Sequence, residues 1–297
     1  MATRKPKNIS LALGSGGARG LAHIGVIHWL EEHPDLHIRS IAGSSMGALI
    51  GGIYAAGKLD IYEEWVTALS KRDVFRLLDF AYSWSGIFSG ERLMQKLRDM
   101  LGEVDIENLP VSFTAVATDI ENRREVWLSQ GPLFEAIRAS IAIPTVFTPV
   151  RRDDRVLVDG GVVNPVPVAP TLRDDADISI AVSLSGRDED GLNTRVPDIK
   201  APDASQTAYQ KAINDFIEGI QNKLGMTERE SSVDMLDVVS SSIETMQNSI
   251  ARFRLAAYNP EYLIEIPANA CGLFDFHRAR ELIDLGYERA ERALGDI

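Results

Sequence analysis

The sequence predicts an α/β fold built on a largely parallel sheet, and three observations carry that expectation. From Asn8 to about Leu184, short apolar runs rich in β-branched residues alternate with helical patterns. Two glycine-rich turns, Gly14 to Gly20 and Gly43 to Gly47, each follow an apolar run and precede a helical pattern, where a strand-to-helix connection bends. The 297 residues are 45% hydrophobic and 25% charged, enough apolar material for one large core or two modest ones.

Taken in order, Ile9 to Leu13 reads as a buried first strand. Leu21, Ile24, Ile27 and Leu30 then recur near helical spacing and predict a helix from about Gly20 to Glu32. Ile38 to Ala42 reads as the second strand and Ala48 to Ala56 as the next helix. Further strands are expected at Val111 to Ala117, Glu125 to Leu128, Arg155 to Val158 and Ile178 to Leu184, with a helix over Pro132 to Ile141 stopped by Pro144. Residues 185–205 are polar and carry Gly186, Gly191, Pro197 and Pro202, the pattern of a linker. Beyond them 206–258 is mostly helical in character, Tyr262 to Ile266 is a last strand and His277 to Leu294 a final helix. Because that strand can complete the sheet begun at Ile9, a single domain over 1–297 is expected. It would hold a motif-bearing region at 8–184, the linker at 185–205 and a mainly helical part at 206–297.

A formal net charge of -12 gives nucleic-acid binding no compositional support, since phosphate-backbone affinity needs clustered Lys and Arg. It equally disfavours electrostatic attachment to anionic lipid, so peripheral membrane contact would have to use apolar surface. The single cysteine, Cys271, cannot form an intramolecular disulfide, and no His and Cys cluster has zinc-type spacing. A reducing cytoplasm fits, with the periphery of the inner membrane as the other expected location. The apolar stretch after the basic start is too short for a signal peptide, and no uncharged run reaches the length of a spanning helix.

Gly43-Ser44-Ser45-Met46-Gly47 lies between a strand reading and a helix reading, the context of a nucleophile elbow. A sharp turn projects the middle residue, Ser45, out of the sheet, and Gly43 and Gly47 leave out the Cβ atoms that would clash as strand and helix approach. The plainer alternative is a small-residue turn without chemistry. Gly14-Ser15-Gly16-Gly17-Ala18-Arg19-Gly20 invites comparison with a dinucleotide fingerprint, but Arg19 stands where the third glycine should be. Consecutive small residues at Gly16, Gly17 and Ala18 can instead aim backbone N–H groups at an oxyanion, with Arg19 orienting the loop or approaching a phosphate.

A serine nucleophile needs a base. His23, His28, His33 and His37 fall in or just after the first helix and read as polar residues at the edge of a core. His277 would give the chain order Ser, Asp, His. Asp159, in Arg155-Val156-Leu157-Val158-Asp159-Gly160-Gly161, is the other candidate: a carboxylate at a strand end with two glycines leaving space around it. It is intrinsically the weaker base, and burial would raise its pKa. The bland reading of Asp159-Gly160 is a hairpin turn.

Together these motifs resemble those of the patatin-like phospholipase family. The correspondence runs through Ser15-Gly16-Gly17-Ala18-Arg19-Gly20, Gly43 to Gly47 and Asp159-Gly160-Gly161, in that order. Ala139-Ser140-Ile141-Ala142-Ile143-Pro144 is similar to a segment of the bacterial branch related to RssA and neuropathy target esterase. The resemblance covers roughly Ile9 to Ala181. It implies a three-layer α/β/α fold with extra C-terminal helices, and a Ser-Asp dyad of Ser45 and Asp159. It also implies an oxyanion loop of Gly16, Gly17, Ala18, Arg19 and Gly20, no cofactor or metal, and an acyl ester such as a phospholipid or lysophospholipid as substrate. An acyltransferase of related mechanism and a catalytically weak regulatory or binding protein are the alternatives, and homo-oligomers are open to either.

Two apolar stretches stand outside the motifs. Val74 to Phe88 carries Phe75, Leu77, Leu78, Phe80, Tyr82, Trp84, Ile87 and Phe88, for which ordinary packing is the plainer reading and an acyl groove or mobile cover the alternative. Ser231 to Tyr258 repeats apolar residues every three or four positions, a stripe that packs on its own domain or else forms a dimer or lipid contact.

Overall fold

The computed structural model describes residues 6–77, 80–83, 86–173, 176–189 and 235–297. Its main sheet begins with β1 (Lys7–Leu13) and β2 (Leu36–Ser44), continues with β5 (Ser112–Asp119), β6 (Arg124–Leu128), β8 (Val150–Arg152) and β9 (Arg155–Asp159), and closes with β10 (Ile178–Gly186) and β11 (Tyr262–Pro267). Their spatial order is β11-β10-β1-β2-β5-β9-β8, with β6 also paired to β5. The five strands from β11 to β5 are mutually parallel, while β6, β8 and β9 join antiparallel. The sheet is therefore mainly parallel, and β11 extends it on the β10 side.

Near-continuous burial along β1 and β10 shows why these runs lack polar alternation: helices cover both faces of the sheet. A short 3-10 turn (Gly17–Leu21) leads into α1 (Ala22–Glu31), so the α-helix starts two residues later than its apolar spacing suggests, because Gly17 begins a tighter turn. Next come α2 (Met46–Ala55), α3 (Leu59–Thr67), α4 (Lys71–Leu77), α5 (Glu91–Leu101) and α6 (Leu133–Ser140). The C-terminal helix (Ala279–Leu294) packs on α1. A second small sheet, β3 (Phe80–Ser83), β4 (Gly86–Phe88) and β7 (Thr145–Phe147), was not legible as strands. These pieces are only three or four residues long, too short for a period of two to show.

The chain divides into one unit of residues 1–194 and 245–297 and a second of residues 195–244. The second is described only over 235–244, which is helical and begins the helix Met235–Tyr258. The expected linker beyond residue 189 and the helical reading of 206–234 lie outside the described residues. Among the described residues no helix is long and apolar enough to cross a membrane.

Register places the motifs. Leu13 pairs with Gly43, so the glycine loop and the serine turn leave neighbouring strands at the same level. Ser44 pairs with Val116, and the next residue of β5, Ala117, pairs with Asp159. Three motifs far apart in sequence thus gather at the carboxyl ends of β1 and β2. At β1 the chain order turns from β2 on one side to β10 on the other, the kind of switch point where open α/β sheets hold ligands.

Candidate active site

Ser45 occupies the sharp bend between β2 and α2 with φ 54° and ψ −120°, a backbone conformation that a side chain rarely adopts. The packing that enforces it is visible in the flanking glycines. A Cβ on Gly43 would overlap the Gly47 carbonyl, and one on Gly47 would overlap the Leu13 carbonyl. The elbow is held from a third side by Ser140, whose hydroxyl accepts the Ser45 amide at 3.0 Å and donates to the Val116 carbonyl at 2.6 Å. The N-terminus of α2 begins at Ser45, so its first amides and positive dipole end lie at the serine.

Asp159 ends β9 and caps a 3-10 turn over Gly160–Val162, so the Asp-Gly pair does not form a hairpin. Thr118 Oγ1 donates to its carbonyl at 2.9 Å, and its carboxylate Oδ1 accepts from the Gly161 amide at 2.7 Å. Oδ2 is buried and makes no hydrogen bond of good geometry among the described residues. With Asp159 only 2% exposed, burial pushes its pKa up to about 7. The Ser45 hydroxyl and the Gly161 amide pull it back down, which makes Ser45 the side chain that acts on this carboxylate.

In the glycine loop, the Gly14 amide donates to Val182, Ser15 to Pro165 and Ala18 to Leu273. The amides of Gly16 and Gly17 have no partner among the described residues. Gly17 takes φ 56°, and a Cβ there would overlap the Leu273 carbonyl as well as its side chain, so glycine is required on both counts. Arg19 spans from the Gly16 carbonyl, 3.3 Å from Nε, to the Ala268 carbonyl, contacted by Nη1. Of the two roles open to it from sequence, these bonds fit the one that orients the loop. Gly20 follows within the turn, its α-carbon against Met46.

A cavity lies over Ser45 and Gly17, and its walls are almost wholly apolar. Leu49, Tyr62, Trp65, Val74 and Leu77 form part of it, from α2, α3 and α4; Leu273, Phe274 and Phe276 close it from the segment after β11. Val74 and Leu77 belong to the aromatic-rich stretch singled out by sequence, and buried Phe88 packs on Phe147, another wall residue, at 6.3 Å between ring centres. Leu78, Trp84 and the side chains of Phe75, Phe80, Tyr82 and Ile87 lie outside the described residues.

Among the described residues no histidine lines this cavity. His277 sits 3.9 Å from Asp275, with burial as the largest influence lowering its pKa. His28 pairs with Glu63 at 3.0 Å, and His33 stacks on Trp29. His23 departs from its core-edge reading. It is fully buried, its Nε2 is 2.9 Å from the Gly14 carbonyl, and burial drives its pKa down to about 4. As a neutral imidazole it donates to that carbonyl and anchors the start of the glycine loop.

Sequence reasoning missed His23, Ser140 and the Leu273 to Phe276 wall. Ser140 lies in the Ala139 to Pro144 segment, and the cluster Leu273-Phe274-Asp275-Phe276 is the signal the sequence offers for the wall.

The family model for patatin-like phospholipase matches residues 11–172, which hold all three motifs. An uncharacterized NTE family protein of Mycobacterium tuberculosis is 38% identical over an alignment covering 96% of this chain and 91% of that protein. Human patatin-like phospholipase domain-containing protein 6 is 27% identical, matching 97% of this chain but only 20% of its own length. Among solved structures, VipD from Legionella pneumophila aligns with a TM-score of 0.46 and 14% identity, over 97% of this chain and 66% of that one. The chain belongs to the patatin-like phospholipase family and is related to its NTE members.

Proposed function

We propose that this protein is a serine hydrolase of carboxylic esters, with phospholipids or lysophospholipids as its substrate class. The observation that carries the reading is the pairing of a strained, buried serine with a buried carboxylate whose pKa is about 7, beneath an apolar cavity. In this reading Asp159 takes the hydroxyl proton as Ser45 Oγ attacks the ester carbonyl. The carbonyl oxygen, now negative, is met by the Gly16 and Gly17 amides. Collapse of the tetrahedral intermediate breaks the bond to the alcohol, which leaves with the proton returned by Asp159, and the acyl group stays on Ser45. Water then attacks the acyl-enzyme, with Asp159 again as base, and releases the fatty acid.

A carboxylate with pKa near 7 suits this double duty, being both a usable base and a usable acid at neutral pH. The cavity suits a hydrocarbon chain, because its walls offer burial and little competing polarity. Ala18, Arg19 and Gly20 complete the oxyanion loop by shape; Gly160 and Gly161 leave room beside Asp159. Hydrolysis of p-nitrophenyl esters and of phospholipids by the unmodified chain, Ser45→Ala and Asp159→Asn tests the dyad. Both variants are expected to lose turnover with the fold intact, and unmodified rates in either would refute it.

A further inference from the structure

The segment between β11 and the C-terminal helix, residues 268–278, lies beyond the family-model match yet supplies a wall of the Ser45 cavity. It is fastened to the glycine loop at two points: the Ala18 amide donates to the Leu273 carbonyl at 3.0 Å, and the Arg19 guanidinium reaches the Ala268 carbonyl. Its own turn is closed by Asp275, which accepts from the Gly272 amide at 2.9 Å and from Arg278 N at its carbonyl, also at 2.9 Å. A strap pinned in this way holds a fixed wall position rather than swinging free.

Leu273 stands out on this strap. Its side chain lies directly against Gly17, it lines the cavity, and it is nonetheless 41% exposed. A large apolar residue that is both in a cavity and open to solvent sits at the entrance. Here the entrance adjoins Gly17, whose amide has no partner among the described residues. From this geometry we infer that Leu273 is the gate of the site and sets the girth of the acyl group that reaches Ser45: straight chains pass, and chains branched next to the carbonyl meet the leucine. The inference rests on the Ser45 reading for its catalytic consequence, but the steric selection itself belongs to the cavity.

Two arms separate these. In the full chain carrying Ser45→Ala, calorimetry compares binding of laurate with that of its branched isomer 2-butyloctanoate, which has the same carbon count in a shorter shape that is wider next to the carboxylate. With Leu273 present, laurate is expected to bind the tighter by about tenfold or more, and Leu273→Ala to narrow that ratio about tenfold by gaining affinity for the branched acid. Leu273→Trp should weaken both. An unchanged ratio in Leu273→Ala, or no binding of either acid, overturns the gate. The second arm measures kcat/KM for p-nitrophenyl esters of the same acids with Ser45 retained, where the same shift in selectivity is expected. Gated binding without any ester cleavage would leave the gate standing and sink the Ser45 reading instead.

Discussion

The Ser140 hydroxyl accepts the Ser45 amide at 3.0 Å and in doing so fixes the peptide at the bend between β2 and α2. Because the same oxygen donates to the Val116 carbonyl, the elbow is tied to β5, the strand that also carries the partner of Asp159. Ser140→Ala takes the acceptor from the buried Ser45 amide and a donor from the buried Val116 carbonyl. It should destabilise the chain by about 1–3 kcal/mol in urea titrations. It should also lower kcat more than it raises KM, since the loss falls on the geometry of attack and not on the acyl cavity.

The backbone of Ser45 gives a second expectation. At φ 54° any side chain is strained, so Ser45→Gly should be more stable than Ser45→Ala by roughly 1–3 kcal/mol, although both lack the hydroxyl. Equal stabilities for the two, measured by denaturant unfolding, would mean that the elbow is not a store of strain.

Asp159 makes both activity and stability depend on pH. As the base of the proposed mechanism it must be ionised, so kcat/KM should rise as pH passes through about 7 and level off above it. Stability moves the other way. Between the unfolded value near 3.8 and the folded value near 7, the folded chain keeps a proton that the unfolded chain has released, so stability falls as pH rises across that window. Asp159→Asn removes this dependence. It should be the more stable protein at pH 8 by at most about 4 kcal/mol, with the gain vanishing near pH 4. Thermal melts of both proteins across that range provide the check.

His23 has the opposite sign. Its folded pKa of about 4 lies below the ordinary 6.5, so over that interval the unfolded chain binds the extra proton and stability is lost as pH falls. Its imidazole should stay neutral by NMR at pH 5.5. His23→Ala should cost about 2 kcal/mol or more, by leaving the Gly14 carbonyl unmet and a void in the core. It should also depress turnover through the displaced glycine loop.

The central strands and the three motifs were legible because each is local: apolar runs for β1, β2 and β10, and glycines where backbones meet at Gly43, Gly47 and Gly17. Ser45 and Asp159 could be singled out for the same reason. Choosing between Asp159 and His277 from the residues alone was not possible, since the choice depends on the pairing of Ala117 with Asp159, a long-range fact of sheet register. His23 looked like one of four similar helix histidines, and only burial separates it from His28 and His33. Leu273 was invisible for a related reason: its meaning comes from contact with Gly17, about 250 residues earlier. The small sheet of β3, β4 and β7 was missed because strands of three or four residues take their structure from neighbours and not from their own pattern.

The most direct test of the Ser45 and Asp159 account is the site of acylation. After rapid mixing with p-nitrophenyl dodecanoate and acid quench, peptide mass spectrometry should find the dodecanoyl ester on Ser45 in the unmodified chain. None should form in Ser45→Ala and little in Asp159→Asn. An adduct on another residue, or undiminished acylation in Asp159→Asn together with its loss in His277→Ala, would contradict the account.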